Sequence, residues 1–243
     1  EGEAELEYAL AALHDLFAQA PILGTLLEPS GGDLFEAEKI RVVERLLEPL
    51  LRKAKRAEPE KLEGVVAARG MADAAGLLWK QYTLQATNVP FLGKGKQHQA
   101  LVNYIGRHFP AATPDLANAI IARMISLAQE GGTVSFVSPH NWLFLTTYKL
   151  FRRSFLEKSH PVIVSGLGKK AFELNPTWDF PVILAAFTVD DPSISRHYYG
   201  IDVSSAGNPN KKGKMLTSAP LSVSSVKVSA HDPDMRITLE EIE

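Results

Sequence analysis

The chain has 243 residues, 45% hydrophobic and 22% charged, with a net charge of −2 and no cysteine. Such a length and mix supply one or two buried cores. The missing cysteines exclude disulfides, zinc fingers and thiol chemistry, which fits a cytoplasmic protein, and the near-neutral charge argues against a large DNA-binding face in this stretch.

In chain order the first elements are helical. Leu6, Leu10, Leu13, Leu16 and Phe17 recur at helical spacing over residues 4–20. Residues 33–57 carry Leu34, Ile40, Val43, Leu46, Leu47, Leu50 and Leu51, and the basic run Arg52 to Arg56 suits a helix C-terminus. Asp33, after Ser30-Gly31-Gly32, reads as its N-cap, and Pro49 as a kink. Residues 60–79 form a third apolar helix, weakened by Gly64, Gly70 and Gly76. Residues 1–80 are therefore expected to be a helical segment. No apolar run approaches the roughly 18 residues of a membrane span, and no signal peptide is visible.

Gln81 to Thr87 is β-prone and ends at Asn88-Val89-Pro90-Phe91, followed by the loop Leu92 to Lys96. Proline fixes its own φ and biases the residue before it toward extended geometry, so nearby carbonyls are held in one direction. The Asn88 oxygen and one such carbonyl can accept both hydrogens of an exocyclic amine while the Phe91 ring stacks on the base. Enzymes that act on a base extrude it from the duplex and hold it by contacts of this kind. On these four residues alone, a turn with a core Phe is the commoner reading. Gly93-x-Gly95-Lys96 is not a phosphate-binding P-loop, because it lacks the longer spacing and a Ser or Thr after the lysine.

The periodicity next predicts a helix over 115–130, capped by Thr113, with Pro114 at its first position and Gly131-Gly132 as its stop. A short strand, Thr133 to Val137, follows. Ser138-Pro139-His140-Asn141-Trp142 then leads into a second helix to about Glu157. This order is a βαβα unit of a parallel sheet. Val162 to Ser165 and Val182 to Phe187 read as two more buried strands. Residues 191–243 are turn-rich, with a β-prone alternation through Leu221, Val223, Val226 and Val228 and an apolar piece at Ile237 and Leu239. A small extension, an edge hairpin and the start of a target-recognition region all fit it.

Asn88-Val89-Pro90-Phe91 resembles the Asn-Pro-Pro-Tyr/Phe motif of amino-group methyltransferases. With His108–Leu127 and Gly131–Leu156, the stretch Thr87–Gln97 is most similar to the large adenine-specific DNA methyltransferases of bacteriophage-exclusion (BREX) systems and their type IIG-like relatives. The similarity covers about residues 80–190, and it implies that 81–190 is a partial methyltransferase catalytic domain. The implied fold class is α/β: the later half of a class I, Rossmann-like methyltransferase sheet, preceded by the helical segment. It further implies S-adenosylmethionine as methyl donor, DNA as substrate, and other defence-system subunits as partners. Asn88, Val89, Pro90 and Phe91 would be catalytic. Val89 departs from the family's first proline, which keeps the carbonyl but loosens the turn.

The family's glycine-rich cofactor loop lies upstream of this motif, and residues 1–87 contain no Gly-x-Gly between a strand and a helix. The chain is accordingly expected to be a fragment, its cofactor-binding residues unknown. Methyl transfer to RNA or a protein amide, or a non-catalytic interaction role, also fits. Positive charge clusters at Lys94 and Lys96, at Lys149, Arg152, Arg153 and Lys158, at Lys169-Lys170, and at Lys211 to Lys214. Lys94, Lys96, Arg152 and Arg153 are the expected DNA contacts; Lys211 to Lys214 read as a solvated loop. The seven histidines show no HxH or HExxH spacing, so no metal site is expected. His140 fits either a contact to base or cofactor or a packing role at a helix entry, and Trp142 reads as core. The strand before Asn88 is expected at a sheet edge, which invites a partner strand, a homo-oligomer or a covering by the N-terminal helices.

Overall fold

The computed structural model describes residues 11, 14, 15, 17–28, 59–173, 180–190, 197–225 and 232–239. The expected helix over 33–57, with Asp33, Pro49 and its basic end, lies outside these residues, as do Leu6, Leu10, Val226 and Val228. The chain divides into two units, Glu1–Lys80 and Gln81–Glu243.

In the first unit, α1 (Ala20–Leu23) runs into a 3₁₀ turn, Gly24–Leu26. The second helix, α2 (Pro59–Trp79), matches the apolar stretch read from sequence. It buries the small residues Ala68, Ala72 and Ala75 and exposes Val66 and Leu77. Arg69 and Asp73, one turn apart, pair at 2.9 Å on its exposed side. Among the described residues, no helix is long and apolar enough to cross a membrane.

The second unit is α/β. Its six strands are β1 (Tyr82–Asn88), β2 (Ala128–Pro139), β3 (Ser159–Gly168), β4 (Val182–Val189), β5 (His197–Asp202) and β6 (Ser222–Ser225), in the order β1-β2-β4-β3-β5-β6. β1 pairs in parallel with β2 and stands at one edge of the sheet among the described residues. The link between them carries α3 (Gln99–His108) and α4 (Leu116–Leu127), the crossover that parallel pairing requires.

Four expectations need correction. The sheet is mixed rather than parallel: β4 runs antiparallel to both β2 and β3 and separates them. The connection from Lys169 to Pro181 has no crossover helix among its described residues, so the chain returns in the opposite direction. Second, α4 is capped by Asp115, not Thr113: the Asp115 side chain accepts from the Ala117 N–H at 2.9 Å. Third, Gly131-Gly132 is no helix stop, since α4 ends at Leu127 and the glycines lie inside β2. Gly131 takes φ +75° where the β1–β2 register shifts, a bulge only glycine adopts cheaply. Finally, the helix after Trp142 begins only at Lys149, with α5 spanning Lys149–Leu156; two 3₁₀ turns, Asn141–Leu143 and Thr146–Tyr148, precede it.

One face of the sheet packs on α5 through rings. Phe136 and Phe187 stack at 5.8 Å, and Phe155 meets Phe187 edge-on at 4.6 Å. Trp142 is 2% exposed and meets Phe151 and Phe155 edge-on. The core reading of Trp142 therefore holds; its indole N–H donates to Ser138 Oγ at 2.9 Å. Residues 232–239 strap across this region: the Ile237 N–H donates to the Leu143 carbonyl, and Tyr198 Oη to that of Thr238.

Arg152 joins strap and turns. It is fully buried, and its guanidinium donates to the carbonyls of Trp142 (2.7 Å), Leu145 (2.8 Å) and Asp234 (2.7 and 3.0 Å). Three carbonyls from two distant segments thus converge on one planar fork, which lysine cannot imitate. Arg152→Ala should destabilise the fold by about 3 kcal/mol or more, since it strands those carbonyls. Urea unfolding measures this, and Arg152→Lys should recover only part of the loss.

Candidate functional site

β1 delivers Asn88 to the carboxyl end of the sheet, opposite Val137 of β2. The Val89 N–H then donates to the Val137 carbonyl at 3.2 Å, and the Val89 side chain is 2% exposed. A proline here could not make that hydrogen bond. Valine thus fixes the start of the turn by a ladder bond and a buried side chain, which corrects the expectation of a looser turn. Asn88 and Pro90 are exposed and Phe91 half-buried.

Asn88, Val89, Pro90 and Phe91 line a hollow of about 330 Å³. Its other wall is Ala171, Phe172, Phe180 and Val182. Phe91 meets Phe180 edge-on at 5.2 Å and leans on a buried cluster of Leu167, Val182, Ile201 and Val203. The space lies at the small end of ligand clefts and suits one planar group. Three aromatic rings and an exposed carboxamide surround it. Phe172 and Phe180 were missed in the sequence; they lie on the connection between β3 and β4 and follow no periodicity.

The loop beyond Phe91 is tied to the start of α4. The Leu92 N–H donates to Asp115 Oδ1 at 3.3 Å, the Leu116 N–H to the Leu92 carbonyl at 3.0 Å, and the Lys94 N–H to the Pro114 carbonyl at 3.1 Å. Gln97 Nε2 closes the loop on the Leu92 carbonyl at 2.8 Å. One carboxylate therefore caps α4 and anchors the chain leaving Phe91. Lys94 and Lys96 sit on this loop in a 3₁₀ turn, both exposed.

Of the other expected DNA contacts, Arg153 is exposed and pairs with Glu157 at 3.8 Å. Arg152 is not available to DNA: its guanidinium is spent on three backbone carbonyls inside the fold. Lys212, read as part of a solvated loop, is 3% exposed; its ammonium donates to the Val203 and Ser204 carbonyls, and burial pushes its pKa down. No group of His, Cys, Asp and Glu able to hold a metal ion occurs among the described residues.

His140 follows β2, and its backbone N–H donates to the Pro181 carbonyl at 3.2 Å. Its ring meets Phe144 edge-on at 4.9 Å, and Nδ1 is buried with no hydrogen-bond partner. This is the packing arrangement. Burial lowers the His140 pKa, against a raising contribution from Pro181.

No protein-family model matches the chain. It is 33% identical over 106 residues to "Adenine-specific methyltransferase PglX" of Lacticaseibacillus casei (strain Zhang), covering 43% of this chain and 9% of that protein. It is 26% identical over 157 residues to "Adenine-specific methyltransferase BrxX" of Escherichia coli O9:H4 (strain HS), covering 65% of this chain and 12% of that one. The chain thus spans about a tenth of the length of these curated relatives. Among solved structures, a DrdV–DNA complex matches with a TM-score of 0.52 and 13% identity, over 72% of this chain and 20% of that one. That likeness shows the fold, and the two relatives bear out the resemblance to adenine-specific methyltransferases.

Two measurements test the geometry. Asp115→Ala should destabilise the fold by about 1 kcal/mol and speed amide exchange at Leu92 and Ala117 together, since one carboxylate holds both. Because His140 has a folded pKa below its unfolded value, neutral His140 contributes fully above the ordinary value near 6.5, and that contribution is lost as pH falls below it. The melting temperature should therefore drop on acidification below about 6.5, and His140→Phe should flatten that drop.

Proposed function

We propose that this chain forms the base-holding part of a site-specific DNA methyltransferase that modifies the amino group of adenine, with S-adenosylmethionine as donor, in a phage-defence or restriction-modification system. One observation carries the reading: an exposed Asn88 shares an aromatic-walled, base-sized hollow with Phe91 at the end of β1. Similarity to two adenine-specific methyltransferases supports it, and likeness in fold to a DNA complex is consistent with it.

In this reading Asn88 Oδ1 and the backbone carbonyl of Val89 accept the two hydrogens of the adenine amino group. Holding both N–H bonds toward these oxygens draws the nitrogen lone pair out of conjugation with the ring and aims it away from the turn. Phe91 stacks on the extruded base, a contact worth roughly 1–3 kcal/mol. Positioning carries most of the rate, and no strong base is required.

Among the described residues, none forms a cradle for S-adenosylmethionine itself. Every described element before Tyr82 is helical, so no strand is found there for a glycine turn to follow. Among the described glycines, a Cβ at Gly132, Gly166, Gly168 or Gly200 would meet neighbouring protein closely, so none of these four faces an open cradle. The donor is therefore assigned to other parts of a longer polypeptide. Lys94, Lys96 and Arg153 contact phosphates, adding sequence-blind, salt-dependent affinity. The edge of the described sheet at β1 seats a further strand, from the same polypeptide, another defence-system subunit or a second copy. The protein acts in the cytoplasm, where the DNA is.

Asn88→Ala in the complete enzyme should lower methylation of duplex DNA roughly a hundredfold or more without lowering its melting temperature. Labelled-methyl transfer to DNA, RNA and protein substrates measures this; undiminished transfer to DNA would refute the role of Asn88.

A further inference from the structure

We infer that Lys170, beside Lys169, grips a phosphate of the strand that carries the extruded nucleotide, across the hollow from Lys94 and Lys96. The inference rests on the proposed function and deepens it, by naming a second half of the DNA track.

The hollow has walls from two distant stretches of chain, and an exposed lysine pair adjoins each. Lys94 and Lys96 follow Phe91 on the first wall, within five residues of it in the sequence. Lys169 and Lys170 immediately precede Ala171 and Phe172 on the second, and both are exposed. A nucleotide turned out of its strand keeps one phosphate on either side of it. Cationic groups on both flanks of a slot that receives its base would hold those phosphates, and Lys94, Lys96 and Lys170 follow or precede its two walls in sequence. In a chain of net charge −2, such pairs are local positive features.

The backbone at the second pair is a separate observation. Lys170 adopts φ +55°, and Met235 is the only other described non-glycine residue with positive φ. Two residues earlier, Gly168 takes φ +64°, and a side chain there would lie 2.7 Å from Ser204 Cβ. The chain leaving β3 thus turns tightly against Ser204 before forming the wall. Glycine or asparagine would hold the left-handed conformation at Lys170 with less strain. Strain kept at the rim of a binding hollow points to a use for the side chain there. The nearest acidic neighbour in sequence, Glu173, accepts a hydrogen bond from Asn210 Nδ2 at 3.3 Å.

The test uses the complete enzyme and two duplexes of equal length, one fully paired and one presenting an adenine opposite an abasic site, which extrudes easily. Binding is followed by fluorescence anisotropy over a range of KCl concentrations. Lys170→Asn tolerates the left-handed backbone and removes the charge; Lys170→Gly is a second neutral variant that relaxes the turn, and Lys170→Arg keeps the charge. Both neutral variants should flatten the slope of log K against log[KCl] by about 0.9 on the abasic duplex, with a smaller change on the paired one, while Lys170→Arg keeps the wild-type slope. An unchanged slope, or an equal change on both duplexes, would overturn the inference. If Asn88→Ala abolishes methylation while the neutral Lys170 variants bind with the wild-type slope, this inference fails and the proposed function stands. If Asn88→Ala methylates normally, the proposed function fails whatever the slopes.

Discussion

A single ladder bond sets the geometry on which the site depends. The Val89 N–H reaches the Val137 carbonyl one residue after β1 ends, so the turn begins at a fixed point on a fixed strand. Because β1 and β2 pair in register from Leu84 to Asn88, a slip of one residue would send Asn88 to the opposite face of the sheet. Burial of Val89 beneath the turn opposes such a slip. The exposed carboxamide, the proline and the ring are thus presented by a rigid edge.

From that point the chain is held at a second place. Asp115 accepts from both the Leu92 and Ala117 backbones, so the loop after Phe91 and the first turn of α4 move as one piece. The opposite wall comes from the connection between β3 and β4, whose antiparallel return lays Phe180 against Phe91. The hollow is therefore built where an edge strand, a capped helix and a strand-to-strand connection meet. Its aromatic lining and its exposed amide face a space the size of one base.

Local signals were legible in the sequence and non-local ones were not. β1 and the Asn88–Phe91 turn stand together in a stretch of ten residues, and α4 shows in its apolar spacing. The cap of α4 was misplaced because Thr113 and Pro114 form a stronger local pattern than Asp115, whose carboxylate also serves Leu92, 23 residues away. The helix α3 was overlooked, although Leu101 and Ile105 are buried one turn apart and His98 caps it. The direction of β4 could not be read from an apolar run, which looks alike in either sense. Arg152 and Lys212 show the largest gap. Both look like surface cations in a charged run, yet each is buried on backbone carbonyls, and for Arg152 one of these lies 82 residues away.

The central claim is that Asn88 reads the amino group of an extruded adenine, and a thermodynamic cycle tests it most directly. Binding of the complete enzyme and its Asn88→Ala variant would be measured on duplexes whose extruded base is either adenine or purine, which lacks that amino group. The account predicts that the wild-type enzyme loses affinity for the purine duplex while the variant binds both alike, a coupling of about 1 kcal/mol or more. Equal losses in the two proteins, with no coupling, would contradict it.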